Sequence, residues 1–253
     1  MDTALRHLVR ILCIALLLAG LFIGFSAYVQ STYAETLSST YTYEITLETD
    51  RVLTNVTLFL PLPENGGRSP VTLAVGRGDL AGLPRGWGIG LYGAGNATFM
   101  KITADRIAPE YRPPPVAVGE EGNPAASPVL VPIRLVAEAD AGAVIDTAHP
   151  LGNSTLLRPK YSLTGVACDF PHDPASPPVC YTYETAFFAS YRAAPDARVT
   201  ITVGLTGSNT WFVFGWSGNE LRDRAVLTLT GPSDGWQRVR GAMKTGIGRY
   251  EIV

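Results

Sequence analysis

The chain has 253 residues, with 20 Lys or Arg and 22 Asp or Glu, so its net charge is −2. This balance argues against binding of a polyanion, because neutralising phosphate groups requires clustered cations. Charged residues make up 17% and hydrophobic residues 46% of the chain. Disordered proteins have high charge and few apolar residues, so the composition excludes that class. With 26 Gly and 19 Pro, the sequence favours a turn-rich fold over a helical bundle.

The first segment for which the sequence predicts a structure is an uncharged apolar run at residues 11–29. As a helix it would be about 28 Å long, close to the hydrocarbon thickness of a bilayer. Signal peptides usually have a shorter apolar core of roughly 7–15 residues, so the run predicts an uncleaved transmembrane anchor. The alternative is a cleaved signal and a secreted protein, because Thr32 and Ala34 place small residues at the cleavage subsites.

The charges on either side of this run predict its orientation. Arg6 and Arg10 precede the run, whereas the residues that follow it, 30–40, contain only Glu35. By the positive-inside rule, the N-terminus is cytoplasmic and the rest of the chain lies outside. The predicted organisation is a cytoplasmic basic N-terminus at 1–10, a transmembrane helix (signal anchor) at 11–29, a juxtamembrane linker at 30–40 and an extracytoplasmic β-rich domain at 41–253.

Cysteine usage agrees with an oxidising compartment. Cys168 and Cys180 flank a Pro-rich segment, and this pair predicts a disulfide that closes a short loop. Such a bond would stabilise the fold by about 3 kcal/mol. The alternative is a metal site that uses Cys168, His172, Asp173 and Cys180. Zinc sites usually pair cysteines two to four residues apart, and this chain has no second pair, so no metal and no cofactor is predicted.

Three Asn-x-Ser/Thr sequons follow the apolar run, at Asn55, Asn96 and Asn153. On the outer side of a membrane these asparagines are candidate glycosylation sites, and an attached glycan requires an exposed position. The three sequons therefore give modest support to the predicted compartment.

The domain after the anchor is predicted to consist of β-strands. Residues 41–47 alternate apolar and polar side chains, and the alternation resumes at Val56. We interpret these two segments as a hairpin whose second strand is ended by Pro61 and Pro63. The segment 217–220 is a plausible turn between the last two strands of the prediction. Further strands are predicted at 71–75, 98–104, 129–137, 181–192, 199–205, 211–216 and 225–230.

This pattern predicts an antiparallel β-sandwich domain preceded by one transmembrane helix. Many short strands with Gly and Pro turns are typical of that architecture. A parallel sheet is excluded, since it needs crossover helices and no amphipathic helix of ten residues follows Val29. The Pro-rich segment 109–128 is either a long loop or a linker between two lobes, and that alternative stays open.

One glycine motif has the spacing of a dinucleotide fingerprint. Gly88, Gly90 and Gly93 match Gly-x-Gly-x-x-Gly, but a predicted strand follows where a helix is required. We interpret 86–95 as a flexible loop whose Trp87 and Tyr92 pack back on the sandwich; the alternative is that they contact a glycan, a partner or the membrane surface. Trp211, Trp216 and Trp236 are interpreted as core or rim packing.

No catalytic constellation is predicted. His149 and His172 are the only histidines beyond the anchor region, and each lies next to a proline. A cell-surface hydrolase that uses one of them with nearby carboxylates is an alternative function. Another is an accessory subunit of a membrane complex, whose helix pairs with a second helix through small residues. These residues include Ala15, Ala19, Gly20 and Gly24.

Taken together, the basic N-terminus, single anchor, sequons and Thr/Gly/Pro-rich exterior resemble uncharacterised archaeal envelope proteins with one N-terminal membrane anchor. The resemblance implies a location in the envelope and implies no activity. The leading hypothesis is a membrane-anchored extracytoplasmic β-sandwich with a structural or binding role. Expected partners are membrane lipid through residues 11–29 and an envelope protein or a glycan, with no nucleic acid.

Overall fold

A computed structural model describes residues 2–66, 69–95, 97–113, 128–169 and 178–250, with side chains from Leu5 onward. Within these residues the chain forms two helices and thirteen strands. The helices are α1 (Asp2–Thr36) and α2 (Pro70–Arg77). The strands are β1 (Ser38–Thr49), β2 (Leu53–Glu64), β3 (Gly88–Ala94), β4 (Ala97–Ile107), β5 (Glu110–Arg112), β6 (Val129–Val131), β7 (Ile133–Asp140), β8 (Leu156–Arg158), β9 (Tyr161–Val166), β10 (Cys180–Arg192), β11 (Arg198–Phe212), β12 (Trp216–Thr230) and β13 (Ser233–Gly248).

Helix α1 is apolar, and the domain covers only its C-terminal part, where Val29 is buried. Its segment Leu5–Thr36 contains a window with a mean hydropathy of 2.6, and none of that window is buried. By length and composition this helix is able to cross a membrane, a property that it shares with signal sequences. The predicted span at 11–29 lies inside it. Only Leu37 separates the end of α1 from the start of β1.

Eleven strands form one antiparallel sheet that curls around a hydrophobic core. The order along the sheet is β3-β4-β2-β10-β13-β12-β11-β1-β7, with β8 beside β2 and β9 beside β10. β5 and β6 form a separate two-stranded ribbon. Tyr43 and Ile45 of β1 belong to the same buried cluster as Leu58 of β2 and Phe187 of β10. The prediction of a mainly β, antiparallel, sandwich-like fold after one N-terminal apolar helix is confirmed.

Strands on the two sides of the Pro-rich segment 109–128 pair with each other. β2 precedes that segment and pairs with β10, while β1 pairs with both β7 and β11. The two parts of the chain therefore share one sheet and one core. Residues 114–127 lie outside the described residues.

The predicted hairpin between the first two strands is wrong. Four strands separate β2 from β1 in the sheet. Their apolar faces meet across the core instead, where Oη of Tyr43 donates a hydrogen bond of 2.8 Å to the carbonyl of Pro61. Alternation reveals which face of a strand is buried, but it does not identify the strand that lies beside it.

The prediction that Pro61 and Pro63 end the second strand is also wrong, since β2 continues to Glu64. Both prolines lack an N–H but keep a carbonyl acceptor. The carbonyl of Pro63 accepts a hydrogen bond of 2.8 Å from the hydroxyl of Thr72. Side chains from β1 and α2 thus donate to the carbonyl acceptors of Pro61 and Pro63.

Residues 71–75, predicted as a strand, lie in helix α2. The hydroxyl of Ser69 accepts a hydrogen bond of 3.3 Å from the backbone N–H of Thr72, and Pro70 follows at the first helical position. Gly78 closes the helix with a left-handed φ of 83°. These capping residues favour a helix more strongly than the short segment favours a strand.

The chain after α2 protects one edge of the sheet. Ala81 forms a two-way backbone bridge with Val136 of β7, the last strand in the order, with N–O distances of 2.8 Å and 3.0 Å. An exposed edge strand is a template for pairing with another chain, and this bridge occupies part of it.

Two further predictions about loops are wrong. Residues 88–94 are not a flexible loop but strand β3, paired with β4 along its whole length. The turn between β11 and β12 lies at 213–215 rather than at 217–220, because β12 begins at Trp216 and residues 217–219 pair with β11. Both segments contain the glycine that is typical of turns, but their pairing with neighbouring strands places them in the sheet.

Candidate functional site: two aromatic surfaces and a buried ion pair

Five aromatic side chains form a row across the outer face of the sheet. The neighbouring strands β3, β4, β2, β10 and β13 contribute one ring each. The strand register aligns the rings, because residue 92 pairs with 99, and residue 188 pairs with both 59 and 236. We call this set the aromatic row: Tyr92, Phe99, Phe59, Phe188 and Trp236.

The rings of the aromatic row contact one another as one cluster. The ring of Phe59 stacks on Tyr92 at 4.1 Å and on Phe188 at 4.8 Å between centroids. Trp236 meets Phe188 edge-on at 5.5 Å and Phe99 at 5.0 Å. Tyr92 and Trp236 remain 39% and 46% exposed. The row is therefore a preorganised surface that offers aromatic faces to solvent.

An open groove of about 560 Å³ lies beside Trp236. Its walls carry hydrogen-bond donors and acceptors of several kinds, and Arg238 forms an ion pair with Glu184 at 3.6 Å across it. A groove with one aromatic wall and convergent polar groups is typical of a small-ligand site. The lining residues are Tyr161, Ser162, Glu184, Thr185, Ala186, Trp236, Gln237 and Arg238.

A second aromatic surface lies where α1 meets the domain. β11 extends past the start of β1, since Ser38 pairs with Thr210, so the β11–β12 turn projects alongside the helix. The ring of Phe214 stacks on Phe25 of α1 at 5.7 Å, and Tyr33 meets Trp211 edge-on at 5.6 Å. We call residues 212–216 at this turn the aromatic hairpin.

Hydrogen bonds fix the aromatic hairpin to the helix. The hydroxyl of Thr36 accepts from the backbone N–H of Phe212 at 3.0 Å and donates to its carbonyl at 3.2 Å. Within the hairpin, the ring of Phe212 meets Trp216 edge-on at 5.6 Å. The turn therefore has a defined position relative to α1.

A buried ion pair connects the β8–β9 connection to the sheet. Nζ of Lys160 lies 2.7 Å from Oδ1 and 2.6 Å from Oδ2 of Asp223, and the two side chains are 3% and 0% exposed. Tyr183 donates its hydroxyl proton to Oδ1 at 2.5 Å, and the backbone N–H of Leu157 donates to Oδ2 at 3.0 Å. Three donors thus compensate the burial of this carboxylate.

Burial shifts the pKa of Lys160 and of the neighbouring Tyr183 hydroxyl. Burial lowers the pKa of Lys160 to about 8, although the attraction of Asp223 opposes this shift. Burial, followed by the charge of Asp223, raises the pKa of the Tyr183 hydroxyl. Nζ of Lys160 also lies 3.3 Å from the centroid of the Tyr183 ring, a cation–π contact.

A second buried polar network holds the loop that precedes β8. The side-chain amide of Asn209 donates to the carbonyl of Ile145 and to Oδ1 of Asn219, both at 2.8 Å. Thr147 donates its hydroxyl proton to the same Asn219 oxygen at 2.6 Å. Since every one of these groups has a partner, the network positions the loop and leaves no group free to act on a ligand.

The structure places several of the predicted site residues. Cys168 and Cys180 form a disulfide with a Cα–Cα distance of 5.3 Å, so neither thiol is available to a metal. Asn55 and Asn153 are exposed, as glycosylation requires, whereas Asn96 lies outside the described residues. The modification itself stays a prediction.

Of the two histidines considered for hydrolysis, His149 is described, and no hydroxyl or thiol is hydrogen-bonded to its imidazole within the described residues. The imidazole of His149 is 84% exposed, and its Nδ1 lies 4.0 Å from Oδ1 of Asp146. His172 lies outside the described residues. An exposed imidazole without a hydrogen-bonded hydroxyl lacks the arrangement that nucleophilic catalysis uses.

Sequence reasoning missed both aromatic surfaces. Trp211 is buried, as interpreted, but Trp216 is 75% exposed and Trp236 is 46% exposed. A signal existed at Phe59 and Phe188, which lie next to core residues and therefore point away from the core by alternation. Alternation does not give the order of the strands, so the alignment of these rings could not be predicted from it.

The buried ion pair, the aromatic row and the aromatic hairpin differ in their access to solvent. The ion pair is closed to solvent, so no ligand reaches it, and its role is to hold the chain around Lys160 against the sheet. The aromatic row and the aromatic hairpin expose ring faces to solvent. The chain matches no family model, no curated protein and no solved structure.

Proposed function

We propose that this chain is a membrane-anchored envelope protein whose β-domain lies outside the cytoplasm and has a binding role there. The observation that carries the proposal is α1, a long helix whose most apolar part the domain leaves uncovered. Exposed apolar surface of this extent is unfavourable in water and favourable in lipid. The Cys168–Cys180 disulfide supports an oxidising compartment, and Arg6 and Arg10 before the span support a cytoplasmic N-terminus.

The anchoring proposal is tested on the full chain in cells. We expect the protein to remain in the membrane after alkaline carbonate washing, and a protease added outside intact cells or spheroplasts to digest the C-terminal domain. The variant Arg6→Glu/Arg10→Glu is expected to reduce the digested fraction, since it removes the positive charge that sets the orientation. A protein released by carbonate, or a domain that stays protected until lysis, would contradict the proposal.

A glycan is the ligand class that the aromatic row and its groove support best. The C–H groups on one face of a sugar ring carry slight positive charge and pack on the negative face of an aromatic ring. The sugar hydroxyls both donate and accept hydrogen bonds, and the groove offers both, from Arg238 and Gln237 to Glu184. A large single-sign charge field is absent from this lining, which fits a neutral ligand.

Glycan binding is tested by electrophoresis of the solubilised full chain in gels that contain defined neutral polysaccharides. We expect retardation by at least one polysaccharide, and Trp236→Ala is expected to weaken it about tenfold, the loss of one stacked ring worth about 1–1.5 kcal/mol. Trp216→Ala is the matched control, because this exposed Trp lies outside the row. Equal retardation of the wild type and Trp236→Ala would contradict the assignment.

The accessory-subunit function stays a prediction beside this proposal. Gly20 and Gly24 lie on the uncovered helix, and no atom lies within 4 Å of the position a Cβ would take at either residue. Close packing of a second helix against them would be compatible with a binding role of the domain.

A further inference from the structure

We infer that the aromatic hairpin inserts into the outer interface of the bilayer that α1 crosses, and gives the domain a second attachment to lipid. The inference rests on the anchoring proposed above and adds to it a lipid-binding surface on the domain itself. Its occupant is the membrane surface beside the helix, not a protein or a glycan.

The depth of the hairpin follows from its contacts with α1. Phe25, which stacks on Phe214, lies inside the uncharged apolar run that ends at Val29. At ~1.5 Å per helical residue, Phe25 lies about 6 Å below the outer end of that run. Tyr28 also contacts Phe214, at 6.2 Å between ring centroids. If the run spans the hydrocarbon, the ring of Phe214 must lie at the same depth as its helical partners.

The side chains of the aromatic hairpin are mainly aromatic and are uncharged, as a position at this depth in the bilayer requires. Phe214 and Trp216 are 63% and 75% exposed, and Phe212 is 39% exposed. No charged residue occurs between Arg198 and Glu220. Aromatic residues, Trp above all, are enriched where a membrane protein crosses the lipid–water interface, because the ring is apolar and the indole N–H finds polar partners.

The backbone conformation of Phe214 also supports insertion of the aromatic hairpin into the bilayer. Phe214 has a left-handed φ of 55°, a conformation that suits glycine or asparagine and is unfavourable for a bulky side chain. Folding alone would favour a small residue there. A large apolar ring at this position is consistent with selection for a contact outside the domain.

The other exposed tryptophan lies far from the proposed lipid contact. Gly248, at the end of β13, pairs with Asn219 close to the hairpin, whereas Trp236 lies near the start of the same strand. At ~3.3 Å per residue, the twelve residues between them span about 40 Å. Trp236 is therefore a control that is exposed to solvent but out of reach of the bilayer.

The test uses the full chain reconstituted into phosphatidylcholine vesicles that contain brominated acyl chains. We expect these lipids to quench part of the tryptophan fluorescence, and Trp216→Phe is expected to remove at least half of that quenched component. Trp236→Phe is expected to leave it unchanged. Vesicle flotation and the circular dichroism spectrum of each variant show that it is inserted and folded.

The outcomes separate this inference from the proposed anchoring. A chain that floats with the vesicles and whose quenched component is the same in wild type and Trp216→Phe overturns the insertion of the hairpin and leaves the anchor intact. A chain that does not float overturns both. Additional loss of quenching in Phe214→Ser, which removes the ring beside Phe25, would support the insertion independently of Trp216.

Discussion

Tyr183 and Gly241 pack directly against each other on neighbouring strands. A Cβ placed on Gly241 would collide with Cζ and Cε2 of the Tyr183 ring. The missing side chain at this position thus lets the ring lie flat under Lys160 while its hydroxyl reaches Asp223. The position of the Tyr183 ring beside the buried ion pair therefore depends on the absence of a side chain at Gly241.

The first prediction concerns this glycine. Gly241→Ala should displace the Tyr183 ring, weaken its hydrogen bond to Asp223 and lower the free energy of unfolding by about 1–3 kcal/mol, as overpacked cores do. Urea unfolding of the solubilised full chain measures the change. Gly90→Ala on β3 is the matched control, since no atom lies within 4 Å of its Cβ position, and it should change the stability little. Equal effects of the two substitutions would refute the steric argument.

The second prediction concerns the charges themselves. Asp223→Leu should lower the free energy of unfolding by about 3–5 kcal/mol, because it leaves the buried Lys160 amine without the carboxylate that compensates its burial. Lys160→Met in the same chain should recover part of this loss, since it removes the uncompensated polar group. A double-mutant cycle of unfolding free energies measures the coupling. If the double variant is as unstable as the sum of the two single variants, the two residues are not coupled.

The third prediction is a pH dependence of stability. Burial lowers the pKa of Lys160 to about 8, whereas an exposed lysine titrates near 10.4. Between these values the unfolded chain holds a proton that the folded chain has released, so the free energy of unfolding rises with pH. Below the folded-state pKa this contribution is lost, because the buried amine must carry its charge.

Urea unfolding between about pH 7.5 and about pH 9.5 measures this rise, below the pH where tyrosines ionise in the unfolded chain. The Lys160→Met/Asp223→Leu variant removes both charges and should show a flatter profile. A wild-type profile that falls over this range would contradict the predicted direction of the Lys160 shift.

The fourth prediction concerns the disulfide. Cys168→Ser/Cys180→Ser should lower the free energy of unfolding by about 3 kcal/mol, because the bond closes a loop of about a dozen residues in the unfolded chain. Cys13→Ser, which removes the free cysteine of α1, is the control and should leave the unfolding of the domain unchanged. Electrophoresis with and without reductant identifies the bonded form. Unchanged stability after reduction of the wild type would show that the bond does not constrain the unfolded chain.

Local patterns predicted the faces of the strands but not their neighbours. The alternation at Tyr41, Tyr43 and Ile45 matches their burial in β1, since the burial of a side chain depends on its own strand. The pairing of β2 with β10 joins residues more than a hundred positions apart, and no short-range pattern encodes it. The helix at α2 had a signal in Ser69, Pro70 and Gly78, which the two valines of the segment obscured.

The candidate sites also differ in how far the sequence alone predicts them. The disulfide was predictable because the domain contains a single pair of cysteines. Asp223 had a weaker signal, a charge between Leu221 and Ala225 on the buried face of β12, but its partner Lys160 lies 63 residues away. The aromatic row needs five strands in one order, so its members, from residue 59 to residue 236, are recognisable as one surface only in the folded chain.

The single residue between α1 and β1 has a mechanical consequence. A domain on a long flexible linker samples many heights and angles above a membrane. Here the linker is the single residue Leu37, and the Thr36–Phe212 hydrogen bonds further restrict movement of the domain relative to α1. In a bilayer, any tilt or spin of the helix would be transmitted to the whole sheet. The protein would then meet its partners at one fixed height, by diffusing in the plane of the membrane rather than by reaching outward.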